Sequence, residues 1–237
     1  GSDADSFEIV NAVLKLKDSV SADFESKSTY SITITAADDA SNEVSIDYSI
    51  LVTDNNDAPT VANAIADQSV NEDSALSFTV ASNTFNDVDA GDSMTYSATL
   101  ADGSALPSWL SFNTSTLAFS GTPVNANVGN INVKVTATDG SSATVSDTFT
   151  LTIANTNDAP TAVSLSATAI NENSSGAVVG NLSTSDVDSG DSFTYTLSGD
   201  DKDSFEVVNG QLKLKSGVSA DYETKNSYAV TVTSTDS

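Results

Sequence analysis

The sequence contains no cysteine, no histidine and no arginine. Without cysteine the chain forms no disulfide and has no thiol nucleophile, and without cysteine and histidine the common zinc sites cannot form. A Ser-His-Asp triad is excluded for the same reason. The chain therefore lacks the side chains on which many hydrolases and most zinc proteins depend.

Basic residues are scarce as well. Eight lysines stand against 33 acidic residues, which gives a formal net charge of −25. Affinity for nucleic acid comes from Lys and Arg side chains that neutralise phosphates, so we expect no nucleic-acid partner. No apolar run approaches the roughly 20 residues that span a bilayer, so we expect no membrane insertion. Aromatic and aliphatic residues are still frequent enough to build packed cores.

An internal repeat organises the chain. Residues 56–60 (Asn-Asp-Ala-Pro-Thr) recur as residues 157–161, a shift of 101 positions, and residues 1–39 match residues 199–237 at a constant shift of 198. The period is therefore about 100 residues, a common domain size. These matches predict three segments: the C-terminal part of one repeat at 1–57, a complete repeat at 58–157, and a repeat lacking its last strand at 158–237.

Apolar residues alternate with Ser and Thr in most parts of each repeat. Tyr30, Ile32 and Ile34 show this alternation in the first repeat, and Leu151 and Ile153 show it in the second. Alternation with one apolar face indicates half-buried antiparallel strands. Short strands separated by Asp-Gly and Asn-Gly turns are typical of a β-sandwich, and no segment shows a helical stripe. The sequence therefore predicts an all-β protein made of tandem sandwiches.

Acidic residues are concentrated in loops, and Asp outnumbers Glu by 26 to 7. The pattern Asp-x-Asp-x-Gly-Asp occurs at 87–92 and again at 186–191, and single Asp residues end strands at equivalent places. The junction between repeats carries Asp54, Asn56 and Asp57, and the next junction carries the amide-rich segment 155–158. Three acidic patterns thus recur in register.

These patterns favour a calcium-binding interpretation. Ca²⁺ takes six to eight oxygen ligands from carboxylates, amides and backbone carbonyls. Two carboxylates 4 Å apart repel by about 4 kcal/mol at a protein-like dielectric constant, so closely spaced acidic loops require a cation. The alternative is that these Asp and Asn residues are solvated turn residues, because both types favour turns. Recurrence of all three patterns in register favours the metal.

The same segments resemble the motifs of cadherin repeats. Residues 54–59 (Asp-Asn-Asn-Asp-Ala-Pro) are similar to the cadherin linker Asp-x-Asn-Asp-Asn-x-Pro, with Ala58 at the position of the second Asn. Residues 186–191 resemble the Asp-x-Asp-x-Gly-x-Asn segment, and residues 21–25 resemble the Leu-Asp-Arg-Glu element. The resemblance implies an all-β fold of tandem Ig-like (cadherin-like) β-sandwiches in an elongated array, with Ca²⁺ between repeats.

The middle repeat resembles the dystroglycan-type cadherin-like variety, through residues 106–112, residues 119–123 and the segment that ends at Asp139. Trp109 is then expected in the core or at its edge. Asp-rich strings of such repeats without cysteine resemble the extender region of large bacterial repeats-in-toxin (RTX) adhesins. This resemblance implies secretion, an extracellular location at the cell surface, and a part in cell adhesion and biofilm formation.

The cadherin resemblance also implies two sets of Ca²⁺ ligands. The first set comprises Asp23, Glu25, Asp54, Asn56, Asp57, Asp87, Asp89 and Asp139. The second set comprises Glu72, Asn157, Asp158, Asp186, Asp188 and Asp236, with Asn155 at the position of Asp54. The middle repeat has no counterpart of the Asp-x-Glu element at 23–25. Residues Glu172, Asp221 and Glu223 are similar to half of a third set.

Three functions remain open from the sequence. The first is a calcium-rigidified spacer of a secreted adhesin, whose partners are Ca²⁺ and neighbouring repeats of the same chain. The second is a ligand-binding module that recognises a glycan or a like domain, although no aromatic cluster marks such a site. The third is a hydrolase with paired carboxylates; because each carboxylate pair already fits a calcium pattern, we expect no enzyme. The repeat comparison also predicts head-to-tail contact with a like chain, through an unpaired strand edge.

Overall fold

The computed structural model describes residues 1–237. It contains nineteen β-strands, three 3₁₀-helices and no α-helix, which confirms the all-β prediction. No helix in it has the length and apolar character that crossing a bilayer requires. The 3₁₀-helices are η1 (Ala4–Ser6), η2 (Asn125–Asn127) and η3 (Lys202–Ser204).

The strands follow one another in short steps along the chain. Those before residue 100 are β1 (Phe7–Val10), β2 (Val13–Leu16), β3 (Thr29–Ala37), β4 (Glu43–Leu51), β5 (Thr60–Val61), β6 (Gln68–Asn71), β7 (Leu76–Thr79), β8 (Phe85–Asn86) and β9 (Thr95–Leu100). The later ones are β10 (Leu110–Asn113), β11 (Ala118–Gly121), β12 (Gly129–Thr138), β13 (Thr144–Ala154), β14 (Ala162–Leu165), β15 (Val178–Ser185), β16 (Thr194–Ser198), β17 (Phe205–Val208), β18 (Gln211–Leu214) and β19 (Thr231–Thr235).

The chain divides into two compact units. The first comprises residues 1–69, 75–122 and 130–152, and the second comprises residues 70–74, 123–129 and 153–237. This division follows contacts in space, whereas the predicted boundaries at 57/58 and 157/158 follow the sequence repeat and stay a prediction.

Antiparallel sheets build both units. Strands β10, β11 and β7 form a three-stranded sheet, and a four-stranded sheet has the order β6-β13-β12-β9. Hairpins β1-β2 and β3-β4 and the short pair β5-β8 complete the sheets of the first part of the chain. The second unit contains a four-stranded sheet in the order β14-β15-β18-β17 and the pair β16-β19.

Alternating side chains fill the cores, as the sequence predicts. In β12, Val133, Val135 and Ala137 are fully buried while the residues between them are partly exposed. Phe119 packs against Phe78 and Phe149 with ring centroids 6.1 and 5.7 Å apart. The second unit has its own core, formed by Phe205, Leu212, Leu214 and Ala220. Aromatic pairs of this kind contribute about 0.5–1.5 kcal/mol beyond their buried area.

One apolar face of the hairpin β3-β4 is only partly buried. Tyr30 and Ile32 of β3 are buried, but Val44 and Ile46 of β4, on the same face of the hairpin, are 70% and 54% exposed. Strand β4 pairs only with β3. A two-stranded ribbon is too narrow to enclose its apolar face, so alternation alone did not decide burial here.

Two aspartates at equivalent positions of the repeat accept hydrogen bonds from distant segments of the chain. Asp201 accepts a hydrogen bond from Lys225 Nζ and another, at 2.7 Å, from the backbone N–H of Ala229. Asp3 makes the same contacts with Lys27 and the N–H of Ser31. The hydrogen bond from Lys225, followed by the one from Ala229, lowers the pKa of Asp201 below its ordinary value of 3.8.

We expect Asp201→Asn to lower the melting temperature by about 2–4 °C at pH 7, since the variant loses the ion pair but keeps the shape. A lowered folded-state pKa means that the stabilisation is complete above pH 3.8 and is lost as the pH falls through that pKa. The two melting curves should therefore converge in acid. The matched control is Asp200→Asn, which changes an exposed neighbour; an equal effect of both variants would contradict the interpretation.

Candidate metal sites

Acidic side chains converge in five groups of three. In each group one carboxylate oxygen per residue lies within 4.8 Å of the others. The groups are Glu25/Asp57/Asp89, Asp87/Asp92/Asp139, Glu72/Asp158/Asp188, Asp186/Asp191/Asp236 and Glu172/Asp221/Glu223. Fifteen of the 33 acidic residues thus lie in shared clusters, so the charge excess is focused rather than spread over the surface.

The Asp-x-Asp-x-Gly-Asp loops divide their carboxylates between two groups. In the loop at 87–92, Asp89 joins one group and Asp87 and Asp92 join the next. Asp87 Oδ1 accepts a hydrogen bond from the N–H of Asp89 at 3.0 Å, which fixes the turn. Gly91 has a φ of 99°, a conformation that favours glycine and returns the chain towards Asp92. Each loop therefore contributes carboxylates to two groups.

Residues far apart in the sequence form the first pair of groups, which is Glu25/Asp57/Asp89 and Asp87/Asp92/Asp139. The N–H of Asp57 donates to Asp89 Oδ2 at 2.9 Å, which joins the linker to the loop. Asn56 Nδ2 donates to Asp139 Oδ2 at 3.0 Å. This hydrogen bond is the main cause of the lowered pKa of Asp139. The contacts hold the carboxylates side by side.

The second pair of groups, Glu72/Asp158/Asp188 and Asp186/Asp191/Asp236, repeats this arrangement. The N–H of Asp158 donates to Asp188 Oδ2 at 2.6 Å, and Glu72 Oε1 accepts from the N–H of Thr156 at 3.0 Å. Burial raises the pKa of Asp158, and the charges of Asp73 and Asp188 raise it further. Burial likewise raises the pKa of Asp191, with the charge of Asp188 next. Burial and neighbouring negative charge thus act in the same direction on both carboxyl groups.

Unpartnered oxygens test whether a cation fits these groups. Five buried side-chain oxygens have no hydrogen-bond partner: Glu72 Oε2, Asp87 Oδ2, Asp89 Oδ1, Asp186 Oδ2 and Asp191 Oδ2. All five belong to the first two pairs of groups. A buried acceptor without a partner costs about 1–3 kcal/mol, more when charged, so these oxygens fit a ligand that binds oxygen. An oxygen-only set without Cys or His suits a hard cation such as Ca²⁺.

The structure brings most of the predicted ligands together. Ten of the fourteen lie in the groups, and Asn56 contacts one. Asn157 Nδ2 lies 3.5 Å from the carbonyl oxygen of Asp158. Asp23 is outside the groups, and its carboxylate accepts hydrogen bonds from the N–H and Oγ of Ser26.

Asp54 is also outside the groups, but it lies close to Glu25. The pKa of Glu25 is raised: a hydrogen bond from its own backbone lowers it, and burial together with the charges of Asp54, Asp89 and Asp57 outweighs that effect. Asp54 therefore adds to the negative potential of the first group without sharing its oxygen cluster.

Two group members are absent from the ligand sets that the resemblance implied. Asp92 and Asp191 close their loops and complete the groups of Asp139 and Asp236. Their signal was present in the sequence, because both end the recurring Asp-x-Asp-x-Gly-Asp pattern. The cadherin pattern has its Asn one position later, so carrying ligands over by resemblance missed them.

Comparison with known proteins bears on the fold. A family model described as "Putative Ig domain" matches residues 58–154. Mouse Cadherin-23 EC22-24 aligns over 98% of this chain and 77% of its own, with a TM-score of 0.71 and 20% identity. The fold is cadherin-like and Ig-like.

Two protocadherin structures agree with the cadherin-like fold. Protocadherin Gamma B7 EC1-4 aligns over 98% of this chain and 63% of its own, with a TM-score of 0.65 and 22% identity. PcdhgB3 EC1-4 aligns over 97% of this chain and 59% of its own, with a TM-score of 0.70 and 21% identity. The cadherin-like chain thus spans about three fifths of the length of these structures. No curated protein matches it.

Proposed function

We propose that this cadherin-like chain is a calcium-rigidified spacer of a secreted cell-surface adhesin of the RTX type. Ca²⁺ bound by the acidic groups limits bending at the Asp-Ala-Pro segments 57–59 and 158–160. The spacer holds an adhesive region away from the cell that secretes it. The extracellular location supplies the calcium concentration at which such modules are filled, about 10⁻⁴–10⁻³ M.

The observation that carries the proposal is the set of five buried carboxylate oxygens without a partner. None of the five ion pairs in the chain supplies a lysine to these groups, since their acidic members are Asp3, Glu8, Asp18, Asp201 and Glu206. Three carboxylates at this spacing repel by about 3–4 kcal/mol for each close pair at an effective dielectric constant of about 20. A divalent cation removes that repulsion and supplies the missing partner.

The adhesin context draws support from the composition and the fold. The absence of cysteine suits a chain exported unfolded, because no disulfide has to form outside the cell. The sequence repeats and the cadherin-like fold suit a protein that keeps two surfaces apart. We propose no catalytic role, since the paired carboxylates are already assigned to cation groups.

Calorimetric titration tests the proposal. The full chain, stripped of metal with chelator, is titrated with CaCl₂ and separately with MgCl₂ at constant ionic strength. We expect several Ca²⁺ per chain with dissociation constants of about 10⁻⁴–10⁻³ M, and much weaker Mg²⁺ binding because Mg²⁺ demands six ligands in a near-ideal octahedron. Small-angle scattering of the same samples should show a narrower range of conformations with Ca²⁺.

Asp18→Asn provides a matched control, because Asp18 is exposed and lies outside the groups. Its Ca²⁺ titration should match that of the wild type. No Ca²⁺ binding by the wild type, or binding without any change in scattering, would overturn the rigidified-spacer proposal.

A further inference from the structure

The group Glu72/Asp158/Asp188 has a neighbour that the acidic pattern does not reveal. In the first repeat, Glu25 lies four residues before β3 and joins its group. In the middle repeat, Asn125 lies four residues before β12 and starts the 3₁₀-helix η2. The segment Pro-Val-Asn at 123–125 thus stands where the Asp-Phe-Glu segment stands at 23–25.

The turn that carries Asn125 is fixed by its own hydrogen bonds. Asn127 Oδ1 accepts from the N–H of Val124 at 2.9 Å, and the N–H of Asn127 donates to the carbonyl of Val124 at 2.7 Å. The carbonyl of buried Pro123 accepts from the N–H of Asp73 at 2.8 Å. Because Asp73 follows Glu72 directly, this contact joins the turn of Asn125 to the segment that carries Glu72.

The side chain of Asn125 reaches the carboxylates. Its Nδ2 lies 3.2 Å from Asp188 Oδ1, and Asn155 Nδ2 lies 3.0 Å from the same oxygen. Two amides therefore meet at one carboxylate atom. The Oδ1 and Nδ2 of an amide differ little in size, so rotation about the last side-chain bond exchanges an N–H donor for an oxygen ligand at the same place.

A second, independent observation at this group is a buried oxygen without a partner. Glu72 is 1% exposed, and its Oε2 has no hydrogen-bond partner. The other oxygen of Glu72 is satisfied by Thr156, so the carboxylate is held in place with one oxygen left over. The three carboxylates carry six oxygens, and three of these, Glu72 Oε1 and both oxygens of Asp188, already accept hydrogen bonds. Ca²⁺ takes six to eight oxygens, and amide oxygens are among its usual ligands.

We propose that the side-chain oxygen of Asn125 is a ligand of the cation held by Glu72, Asp158 and Asp188. This rests on the proposed calcium function and extends it to a residue outside the acidic motifs. Asn125 supplies a neutral oxygen at the position that Glu25 occupies in the first repeat, so the middle repeat gains a ligand there without adding negative charge.

Calorimetric titration with CaCl₂ tests the proposal on three variants of the full chain. Asn125→Ala should weaken the binding of one ion about tenfold, in the range seen when groups around a metal are lost. Asn125→Asp should bind that ion at least as tightly as the wild type, since a carboxylate oxygen replaces the amide oxygen. The control Asn42→Ala removes an amide that contacts Asp38 at 2.8 Å, outside the groups, and should change nothing.

The outcomes separate the two proposals. If the wild type binds no Ca²⁺, the proposed function itself fails. If the wild type binds Ca²⁺ and Asn125→Ala binds it equally well, only the assignment of Asn125 fails. Asn125→Asp binding as weakly as Asn125→Ala would also overturn it, because Asn125 would then act only as a donor to Asp188. Matching melting curves in chelator confirm that the variants fold.

Discussion

Removal of calcium is expected to lower the melting temperature of this chain by about 10 °C or more. A ligand at 100 times its dissociation constant contributes about 2.7 kcal/mol for each ion. Two ions in one unit therefore contribute about 5 kcal/mol, and each kcal/mol moves the melting temperature of a chain of this size by about 2–4 °C. The buried oxygens without partners make the metal-free state costly, which is the physical source of the shift.

Differential scanning calorimetry checks this expectation at pH 7, with CaCl₂ at 100 times the dissociation constant found by titration compared with EDTA. Screening by salt is controlled by NaCl at matched ionic strength, because surface repulsion weakens with any salt. A second control uses MgCl₂, which should recover only part of the shift. Superimposable curves in CaCl₂ and EDTA would contradict the calcium interpretation, and equal recovery by NaCl would assign the effect to screening.

Glu72→Gln is expected to change stability in opposite directions with and without calcium. In EDTA the variant should melt at a higher temperature than the wild type, since a neutral amide removes a charge that is 1% exposed and close to Asp158 and Asp188. The free energy of unfolding should rise by about 1–3 kcal/mol, because repulsion is relieved and an acceptor without a partner is removed. In CaCl₂ the variant should melt at a lower temperature, because it loses a charged ligand.

Glu43→Gln is the matched control. Glu43 is exposed on β4 and belongs to no group, so its variant should behave like the wild type in both solutions. Thermal unfolding of the three proteins in EDTA and in CaCl₂ provides the measurement. A shift of Glu72→Gln in the same direction in both solutions would show that Glu72 acts as a packing residue rather than as a cation ligand.

Local sequence patterns were sufficient to predict the strands and the acidic loops. Alternation over β12 and β13 places the buried residues correctly, because successive side chains of a strand point to opposite faces. The Asp-x-Asp-x-Gly-Asp loops form as expected because their geometry depends on a short segment and one glycine. Burial of β4 was not decided locally, since it depends on which strands cover the face.

The sequence by itself determined the all-β class, the repeat of about 100 residues and the identity of most carboxylates in the groups. Only the tertiary structure decided which carboxylates share a group. It separated Asp87 from Asp89, turned Asp23 towards its own turn, and placed Glu72 beside Asp158. Residues 84 positions apart, such as Glu72 and Thr156, meet only through the packing of strands, and no local spacing encodes that distance.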